Sequence, residues 1–154
     1  MEEFMTKPII VWDLDDTLAN TYHRSIDFDF DTGDENLWAD YFSKCNKDEP
    51  IKQTILLLDT MFQNYEGEIH IWTGRNEIVK DKTIEWLIDN KIYYHELKMR
   101  PIDCRMKNVD LKYKWAKEVG FENIYCVFDD NENICKMFQD NSVLCYNIKN
   151  PIRG

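Results

Sequence analysis

The chain has 154 residues, of which 44% are hydrophobic and 14% aromatic, and its formal net charge is -10. This length and apolar content predict one globular domain with a real core, and the aromatic content excludes a disordered chain. The negative charge argues against a surface that binds duplex DNA non-specifically, because such binding needs many Lys and Arg contacts with phosphate.

The cysteine pattern and the start of the chain predict where the protein resides. The five cysteines include no C-x-x-C pair, and Cys126 lies inside an apolar run, where a reduced thiol behaves as a small hydrophobe. No signal-peptide pattern opens the sequence, and no stretch is long enough to cross a bilayer. We therefore expect a cytoplasmic protein without a membrane partner.

Apolar runs typical of strands alternate with helical periodicity along the whole chain. The predicted strands cover residues 9–12, 68–72, 93–97, 123–128 and 142–146. Between them we expect helices capped by Asp34 and by Asn131, a helix that starts at Asp48-Glu49-Pro50, a helix through residues 84–88, and a helix from about Asn108 to Val119 that Gly120 closes. The strand 68–72 is followed by Thr73-Gly74-Arg75, read as a turn.

This order predicts an α/β fold: a single Rossmann-like domain over residues 1–154, with a five-stranded parallel sheet flanked by helices. Residues 19–49 are expected to form a small helical insertion after the first strand. The insertion has no room for a large cap domain, so the site is expected to be open.

Acidic residues follow two of the predicted strands. Asp13, Asp15 and Asp16 come after the first strand, and Asp129 and Asp130 come after the fourth. Because ligands bind at the carboxyl ends of parallel strands, these side chains are expected to share one crevice. Crowded carboxylates repel one another unless a cation neutralises them, and oxygen-only ligands favour magnesium over zinc. The plainer alternative is that the first group caps a helix, although a cap needs only one acidic residue.

The sign of the charge reverses in the later part of the chain. This segment carries Lys98, Arg100, Arg105, Lys107, Lys112, Lys114 and Lys117 against Asp103 and Asp110. Such a segment could receive phosphate, and it could equally be a solvated helix face.

Four motifs occur in a fixed order, each in a comparable structural context. They are Asp13-Leu14-Asp15-Asp16-Thr17, Thr73 after the second strand, Lys112, and Asp129-Asp130 after the fourth strand. Together they resemble the motifs of the haloacid dehalogenase-like (HAD) phosphohydrolase superfamily. A closer resemblance, to the 3′-phosphatase domain of phage-type polynucleotide kinase-phosphatases, rests on Thr73-Gly74-Arg75, Leu97-Lys98-Met99-Arg100, Asp103, Arg105, His23-Arg24 and Asp48-Glu49-Pro50-Ile51.

The resemblance implies a division of labour at the acidic crevice. Asp13 would attack phosphorus and form an aspartyl-phosphate, and Asp15 would act first as general acid and then as general base. Thr73 would hold the phosphoryl oxygens, and Lys112 would add positive charge to them.

The resemblance also implies a magnesium ion and a set of substrate contacts. The ion would be held by the Asp13 carboxylate, the Asp15 backbone carbonyl and Asp129, with Asp130 acting through water or orienting its neighbour. Residues expected near the substrate are Thr17, which more plausibly orients the loop, and Arg24, Gly74, Arg75, Arg100 and Arg105. The guanidinium groups of Arg24, Arg75 and Arg100 could each engage two phosphate oxygens.

Three positions depart from the pattern of the 3′-phosphatase relatives. Those relatives usually have Gly where this chain has Asp16, Arg where it has Asn131, and an acidic residue where it has Asn108. The departures bear on the specificity for nucleic-acid ends, while the hydrolytic residues are intact. The sequence has no G-x-x-x-x-G-K-[ST] motif, so phosphorylation by ATP is not expected.

The sequence therefore predicts a magnesium-dependent phosphomonoesterase that removes a terminal phosphate from a nucleic acid. The first hypothesis for its substrate is the 3′-phosphate of an oligonucleotide. The alternatives are a 5′-nucleotidase and, from another class, a nucleotide-binding protein without turnover. The expected partner is a phosphorylated nucleic-acid end or a nucleotide, and no obligate protein partner is predicted. If the gene is carried by a phage, the expected location is the host cytoplasm.

Overall fold

The computed structural model describes residues 8–151. Its strands are β1 (Ile9–Trp12), β2 (Ala19–Asn20), β3 (Glu49–Pro50), β4 (Glu68–Asn76), β5 (Glu96–Arg100), β6 (Ile124–Asp129) and β7 (Cys145–Asn147). Its helices are α1 (Tyr22–Ser25), α2 (Glu35–Ser43), α3 (Lys52–Asn64), α4 (Lys80–Asp89), α5 (Asn108–Val119) and α6 (Glu132–Asp140). Across this range no helix combines the length and the apolar character needed to cross a membrane.

Five parallel strands form the central sheet in the order β5-β4-β1-β6-β7. The predicted α/β fold with a five-stranded parallel sheet is confirmed, and the part of the chain described contains no large cap domain. The chain builds the sheet outward from β1 in one direction and then returns to the other side of β1 for β6. This reversal makes the carboxyl end of β1 the switch point, which is where parallel sheets bind ligands.

Both faces of the sheet are buried, which explains why the strands read as continuous apolar runs. The neighbours Val11 and Trp12 point to opposite faces, and both have at most 1% exposure. Two core clusters lie one on each face. One contains Trp12, Leu58, Ile71, Leu87 and Phe128, and the other contains Val11, Trp72, Leu111, Trp115 and Phe138.

The insertion after β1 packs on the main domain through a third apolar cluster. Tyr41, Phe42 and Cys45 of the insertion are buried against Val79 and Met99 of the main domain. The short strands β2 and β3 pair antiparallel and close the insertion at its base. Asp34 caps α2 as expected, since its side chain accepts a hydrogen bond from the Asn36 N–H at 2.8 Å.

The predicted third and fifth strands are displaced towards their carboxyl ends. The third strand is Glu96–Arg100 rather than 93–97, because the backbone of β5 pairs with β4 only from the level of His70 onward. Lys98 and Arg100 are tolerated because this is an edge strand. In the fifth strand Ser142 has a φ of +65°, which places it in a turn, so β7 begins only at Cys145.

Two other local predictions were wrong. Pro50 lies in β3 rather than in the first turn of a helix, and α3 starts at Lys52; a proline is compatible with so short a strand at a sheet edge. Thr73-Gly74-Arg75 forms no turn, since β4 continues to Asn76 with an irregularity in its pairing with β5. The helix from Asn108 to Val119 is confirmed, and Gly120 follows it with a φ of +90°.

Helix α3 offers a stability test of which face packs on the sheet. Leu58 is fully buried in the core, whereas Leu56 of the same helix is 67% exposed. Leu58→Ala should lower the free energy of unfolding by about 2–5 kcal/mol, because it removes buried methyl groups and leaves a cavity. Leu56→Ala should change it by less than about 0.5 kcal/mol. Urea unfolding followed by tryptophan fluorescence measures both, and equal losses would contradict the packing described.

Candidate active site

The carboxyl end of β1 places Asp13 at the centre of the candidate site. The Asp13 N–H donates to the Phe128 carbonyl at 2.9 Å, so the backbone is held in the sheet up to this residue. The Asp13 side chain accepts hydrogen bonds from Thr17 Oγ1 at 3.1 Å and from Lys112 Nζ at 2.8 Å. Thr17 is fully buried and thus orients Asp13 from behind. This position does not suit Thr17 for contact with a substrate, which was one of the roles predicted for it.

Asp13 is one of three carboxylates that converge from opposite ends of the chain. Ligand atoms of Asp13, Asp129 and Asp130 lie within 4.8 Å of one another. Burial and the neighbouring Asp13 raise the pKa of both Asp129 and Asp130 above the ordinary aspartate value. Burial is the larger cause of both shifts, and the negative charge of Asp13 adds to it. A donor set of carboxylate oxygens fits a hard divalent cation such as Mg²⁺.

Lys112 is the buried cation of this cluster. It projects from α5 with 2% exposure and donates to Asp13 at 2.8 Å and to Asp129 at 2.7 Å. Burial alone would lower the pKa of Lys112, but Asp129 and Asp13 together raise it above its ordinary value. The lysine therefore stays protonated and holds the two carboxylates apart at fixed distances. Lys114 of the same helix is exposed.

Asp15 faces away from the three carboxylates and lies against two arginines. Its side chain accepts hydrogen bonds from Arg24 Nη2 at 3.0 Å and from Arg75 Nη2. Burial acts to raise the pKa of Asp15, but the two guanidinium groups outweigh it and hold the pKa below the ordinary value. The Asp15 carboxylate is absent from the group of possible metal ligands, so only its backbone carbonyl is left for the role that the family resemblance implies.

Asp48 is the second carboxylate bound by Arg24 and Arg75, and with Asp15 these residues form the arginine network. It accepts from Arg24 Nε at 2.8 Å, from Arg24 Nη2 at 2.7 Å and from Arg75 Nη2 at 3.2 Å. The imidazole of His23 also lies 2.7 Å from it. Two arginines thus face two aspartates, and the side chains of both arginines and of Asp48 have 0% exposure.

Arg24 and Arg75, which the sequence predicts as substrate clamps, are buried among hydrogen-bond partners within the protein. Their hydrogen bonds are directed to Asp15, Asp48 and, for Arg75 Nη1, to Thr83 at 3.1 Å. Turning towards a ligand would cost each guanidinium group its bonds to buried Asp48 and to partly exposed Asp15. These contacts favour a role in positioning Asp15 over direct contact with a substrate.

Asp48 was missed as a site residue in the sequence analysis. It was read as the start of a helix because it precedes Glu49 and Pro50. The usable signal was His23-Arg24, a basic pair inside an insertion otherwise rich in acid, which requires a carboxylate partner once it is buried.

Asp16 explains how this chain forms the loop without the glycine of its relatives. Its φ is +62°, a left-handed conformation that glycine adopts at no steric cost and that aspartate tolerates. The Asp16 carboxylate accepts hydrogen bonds from the Thr21 N–H at 3.1 Å and from the Thr21 hydroxyl at 2.9 Å. These bonds fix the loop that carries Asp15.

The other wall residues predicted from the motifs lie together. Thr73 is buried at the end of the regular part of β4, beside Gly74. A Cβ atom on Gly74 would lie 2.1 Å from Asn108 Oδ1, so a larger residue here would displace the Asn108 side chain. Arg100 donates to the Gly74 carbonyl at 2.8 Å, to the Met106 carbonyl at 2.6 Å and to Asn108 Oδ1 at 2.5 Å. It has neutral acceptors only.

One open cleft of about 820 Å³ runs along the candidate site. Asp13, Asp15, Thr73, Lys112, Asp129 and Asp130 lie along it, together with aromatic residues of the insertion and the segment 100–108. Arg105 forms an exposed ion pair with Glu35 of α2, which joins the two walls. The volume is within the range of sites for small ligands.

Comparison with known proteins bears on the identity of the chain. Residues 7–151 match the model of the family described as the polynucleotide kinase PNKP phosphatase domain. No curated protein matches the sequence significantly.

Several solved structures share the fold. A chain in the structure of the Pnkp1/Rnl/Hen1 complex has a TM-score of 0.76 and 17% identity, over 94% of this chain and 47% of that one. A class C acid phosphatase from Bacillus anthracis with tungstate bound has a TM-score of 0.59 and 20% identity, over 86% of this chain and 55% of that one. A hydrolase from Streptococcus pneumoniae TIGR4 has a TM-score of 0.59 and 16% identity, over 96% and 95%.

The chain spans about half of the length of the chains that it matches in the structures of this complex. The family match covers nearly the whole sequence. The chain therefore belongs to the family of polynucleotide kinase PNKP phosphatase domains, within the haloacid dehalogenase-like superfamily of hydrolases.

Proposed function

We propose that the protein is a magnesium-dependent phosphomonoesterase that removes a terminal phosphate from a nucleic acid, with the 3′-phosphate of an oligonucleotide as the preferred group. The observation that carries the proposal is the position of Asp13. Its carboxylate lies with Asp129 and Asp130 on one side and Lys112 at 2.8 Å on the other, at the switch point of the sheet. The second acid, Asp15, is held separately on the same loop by two arginines.

Asp13 is the proposed nucleophile. Thr17 and Lys112 each hold one of its oxygens, so the carboxylate is already oriented when the phosphate ester arrives. Attack on phosphorus gives an aspartyl-phosphate and releases the alcohol, and water then hydrolyses this intermediate. Lys112 and the Thr73 hydroxyl at the cleft wall face the phosphoryl oxygens and stabilise the charge on them.

Asp15 is the proposed acid and base. Its lowered pKa means that it is ionised at neutral pH before substrate binds. The monoanion of the ester, which exists below a second pKa of about 6, can bring the proton that Asp15 passes to the leaving oxygen. The same carboxylate then accepts a proton from the attacking water. Arg24, Arg75 and Asp48 keep Asp15 aimed away from the three carboxylates.

Magnesium suits this site because the three carboxylates offer hard oxygen ligands without enough positive charge nearby. The ion would be held by Asp13, Asp129, the Asp15 carbonyl and, directly or through water, Asp130. When bound it supplies positive charge that neutralises the carboxylates and the incoming phosphate.

A nucleic-acid end is favoured as substrate by the family match and by the open cleft. Arg100 lies in the cleft with neutral partners only, so its charge is available to a phosphodiester next to the reacting phosphate. A cytoplasmic location is also proposed, and the five free cysteines support it.

The first prediction concerns the reaction itself. With Mg²⁺ present, the protein should release phosphate from 3′-phosphorylated oligonucleotides faster than from 5′-phosphorylated ones or from nucleoside monophosphates. Asp13→Asn should remove turnover, because the amide cannot attack phosphorus, and should leave the melting temperature close to that of the wild type. Asp89→Asn, at an exposed carboxylate of α4, is the matched control and should retain activity.

Each other outcome of that panel has a meaning. Preference for nucleoside monophosphates, with little dependence on salt, would identify a 5′-nucleotidase. Tight binding of a phosphorylated end without release would favour a binding protein. Activity of Asp13→Asn would show that the nucleophile is assigned wrongly.

The second prediction tests the metal without reference to turnover. Saturating Mg²⁺, at about 100 times its dissociation constant, should stabilise the wild type by about 2.7 kcal/mol, seen as a higher melting temperature. Asp130→Asn should lose most of this shift, and Asp103→Asn, which alters an exposed carboxylate of the same cleft, should keep it. An equal shift in both variants would contradict the assigned ligands.

The third prediction concerns the arginine network. Arg24→Gln should lower the free energy of unfolding at pH 7 by about 3–5 kcal/mol, because it leaves buried Asp48 and partly exposed Asp15 with one cation fewer. The folded-state pKa of Asp15 is lowered, so its contribution to stability is present above the unfolded value of 3.8 and is lost as the pH falls through the folded value. The difference in the free energy of unfolding between Arg24→Gln and the wild type should therefore become smaller at acid pH.

Urea unfolding at pH 7 and at pH 3 measures this difference. Arg105→Gln, which removes an exposed ion pair, is the control and should cost less than about 1 kcal/mol. A loss for Arg24→Gln no larger than that of the control would contradict a buried network.

A further inference from the structure

The two walls of the cleft differ in charge and in chemical character. Between residues 27 and 40 the insertion carries six acidic residues and no Lys, Arg or His. The segment from Lys98 to Lys117 carries seven basic residues against two acidic ones. Hydrolysis of a simple phosphate ester does not require this asymmetry.

On the insertion side the cleft is lined by aromatic rings, and of the six acidic residues between 27 and 40 only Glu35 belongs to the described lining. Phe30 and Trp38 both line the cleft. Trp38 is held in place, since its Nε1 donates to the Thr32 carbonyl at 3.0 Å and its ring stacks on Phe42. Phe30 makes T-shaped contacts with Phe28, Trp38 and Tyr41 but stays 54% exposed. A supported ring that is still half exposed leaves apolar area for a flat ligand.

Trp38 has two kinds of contact: it packs against the third apolar cluster, and it also lines the cleft.

The other wall presents charge without aromatic rings. Arg100 has neutral hydrogen-bond partners only, and Lys107 stands exposed at the start of α5. Arg105 faces Glu35, so an incoming anion competes with one exposed carboxylate for it. This wall suits a sugar-phosphate backbone, whereas the six acidic residues between 27 and 40, which form the acidic rim of the insertion, repel one.

We infer that the insertion side of the cleft is a nucleobase subsite, in which Phe30 and Trp38 stack on the terminal base of a single strand while its backbone lies along Arg100 and Lys107. The inference rests on the proposed function, since it assumes a nucleic-acid end at the phosphate site. The two walls and the phosphate site line one continuous cleft of about 820 Å³, which the terminal nucleotide would span in this proposal. Stacking tolerates any base, so the end is recognised without sequence preference.

The acidic rim adds a selection between single and double strands. In a duplex the terminal base is paired, and the phosphates of the complementary strand would approach the acidic residues of the insertion. The subsite thus favours single-stranded or frayed ends.

The test compares two single-stranded oligonucleotides with a 3′-phosphate, one with a normal terminal base and one with an abasic terminal sugar. The quantity measured is the ratio of kcat/KM for the normal end to that for the abasic end. In Phe30→Ala this ratio should fall at least about fivefold, the lower limit expected for loss of base stacking. Phe30→Tyr should restore it, since the ring is kept.

Leu37→Ala is the matched control. Leu37 lies on the same helix as Trp38 and is 50% exposed, but it does not line the cleft. Its ratio should stay within a factor of two of the wild type. Should Phe30→Ala fail to fold, Phe30→Leu keeps the apolar volume without the ring and should show the same fall.

The possible failures are distinguishable. An unchanged ratio in the folded Phe30 variants, with both ends still hydrolysed, would overturn the base subsite and leave the phosphatase proposal standing. Hydrolysis of neither end by the wild type would overturn the proposed function and this inference with it. A blunt duplex 3′-phosphate cleaved as fast as the single strand would overturn the strand selection.

Discussion

The repulsion among carboxylates at the switch point is the constraint on which the rest of the site depends. A parallel sheet whose chain reverses at β1 brings the residues after β1 and β6 together, whether or not their charges are compatible. Here that meeting joins Asp13 with Asp129 and Asp130. Lys112 compensates part of the charge, and the remainder makes the cluster receptive to a cation. The fold thus creates an electrostatic cost that Lys112 offsets in part, and the proposed metal ion would offset more of it.

The separation of the two acids follows from the same constraint. Asp13 and Asp15 are two residues apart, yet they occupy different electrostatic environments: one faces acids and a lysine, and the other faces arginines. In the proposed mechanism these opposite surroundings suit the two carboxyl groups to different roles, although both are aspartates. The partners that produce the difference come from the insertion and from β4, so the assembly of the site requires distant parts of the chain.

The sequence reveals the parts of this design that depend on local pattern. The helix from Asn108 to Val119 could be predicted from apolar spacing and its closing glycine, and with it Lys112. The convergence of Asp13 and Asp129 could be predicted from strand order alone. The start of β5 could not, because Tyr93 and Tyr94 have as strong a strand preference as the residues that actually pair, and the register is set by β4.

The roles of Arg24 and Arg75 could not be predicted either. A sequence shows that an arginine is present near a phosphate motif but not whether its guanidinium group points outward or lies buried. The buried orientation of the two guanidinium groups depends on Asp48, and the sequence Asp48-Glu49-Pro50 looks like a common helix start. The side chains that line the cleft, Phe30 and Trp38, were equally hidden, because an aromatic residue in an insertion is compatible with either packing or binding.

The left-handed backbone at Asp16 has a mechanical consequence. A glycine there would leave the loop to be shaped by its surroundings, whereas the Asp16 carboxylate ties it to Thr21, at the entrance of the helix that carries Arg24. The loop and the insertion are thereby coupled at two points three residues apart. A displacement of the insertion, for example by a ligand bound beneath it, would therefore also move Asp15, because Thr21 and Arg24 bind the loop directly.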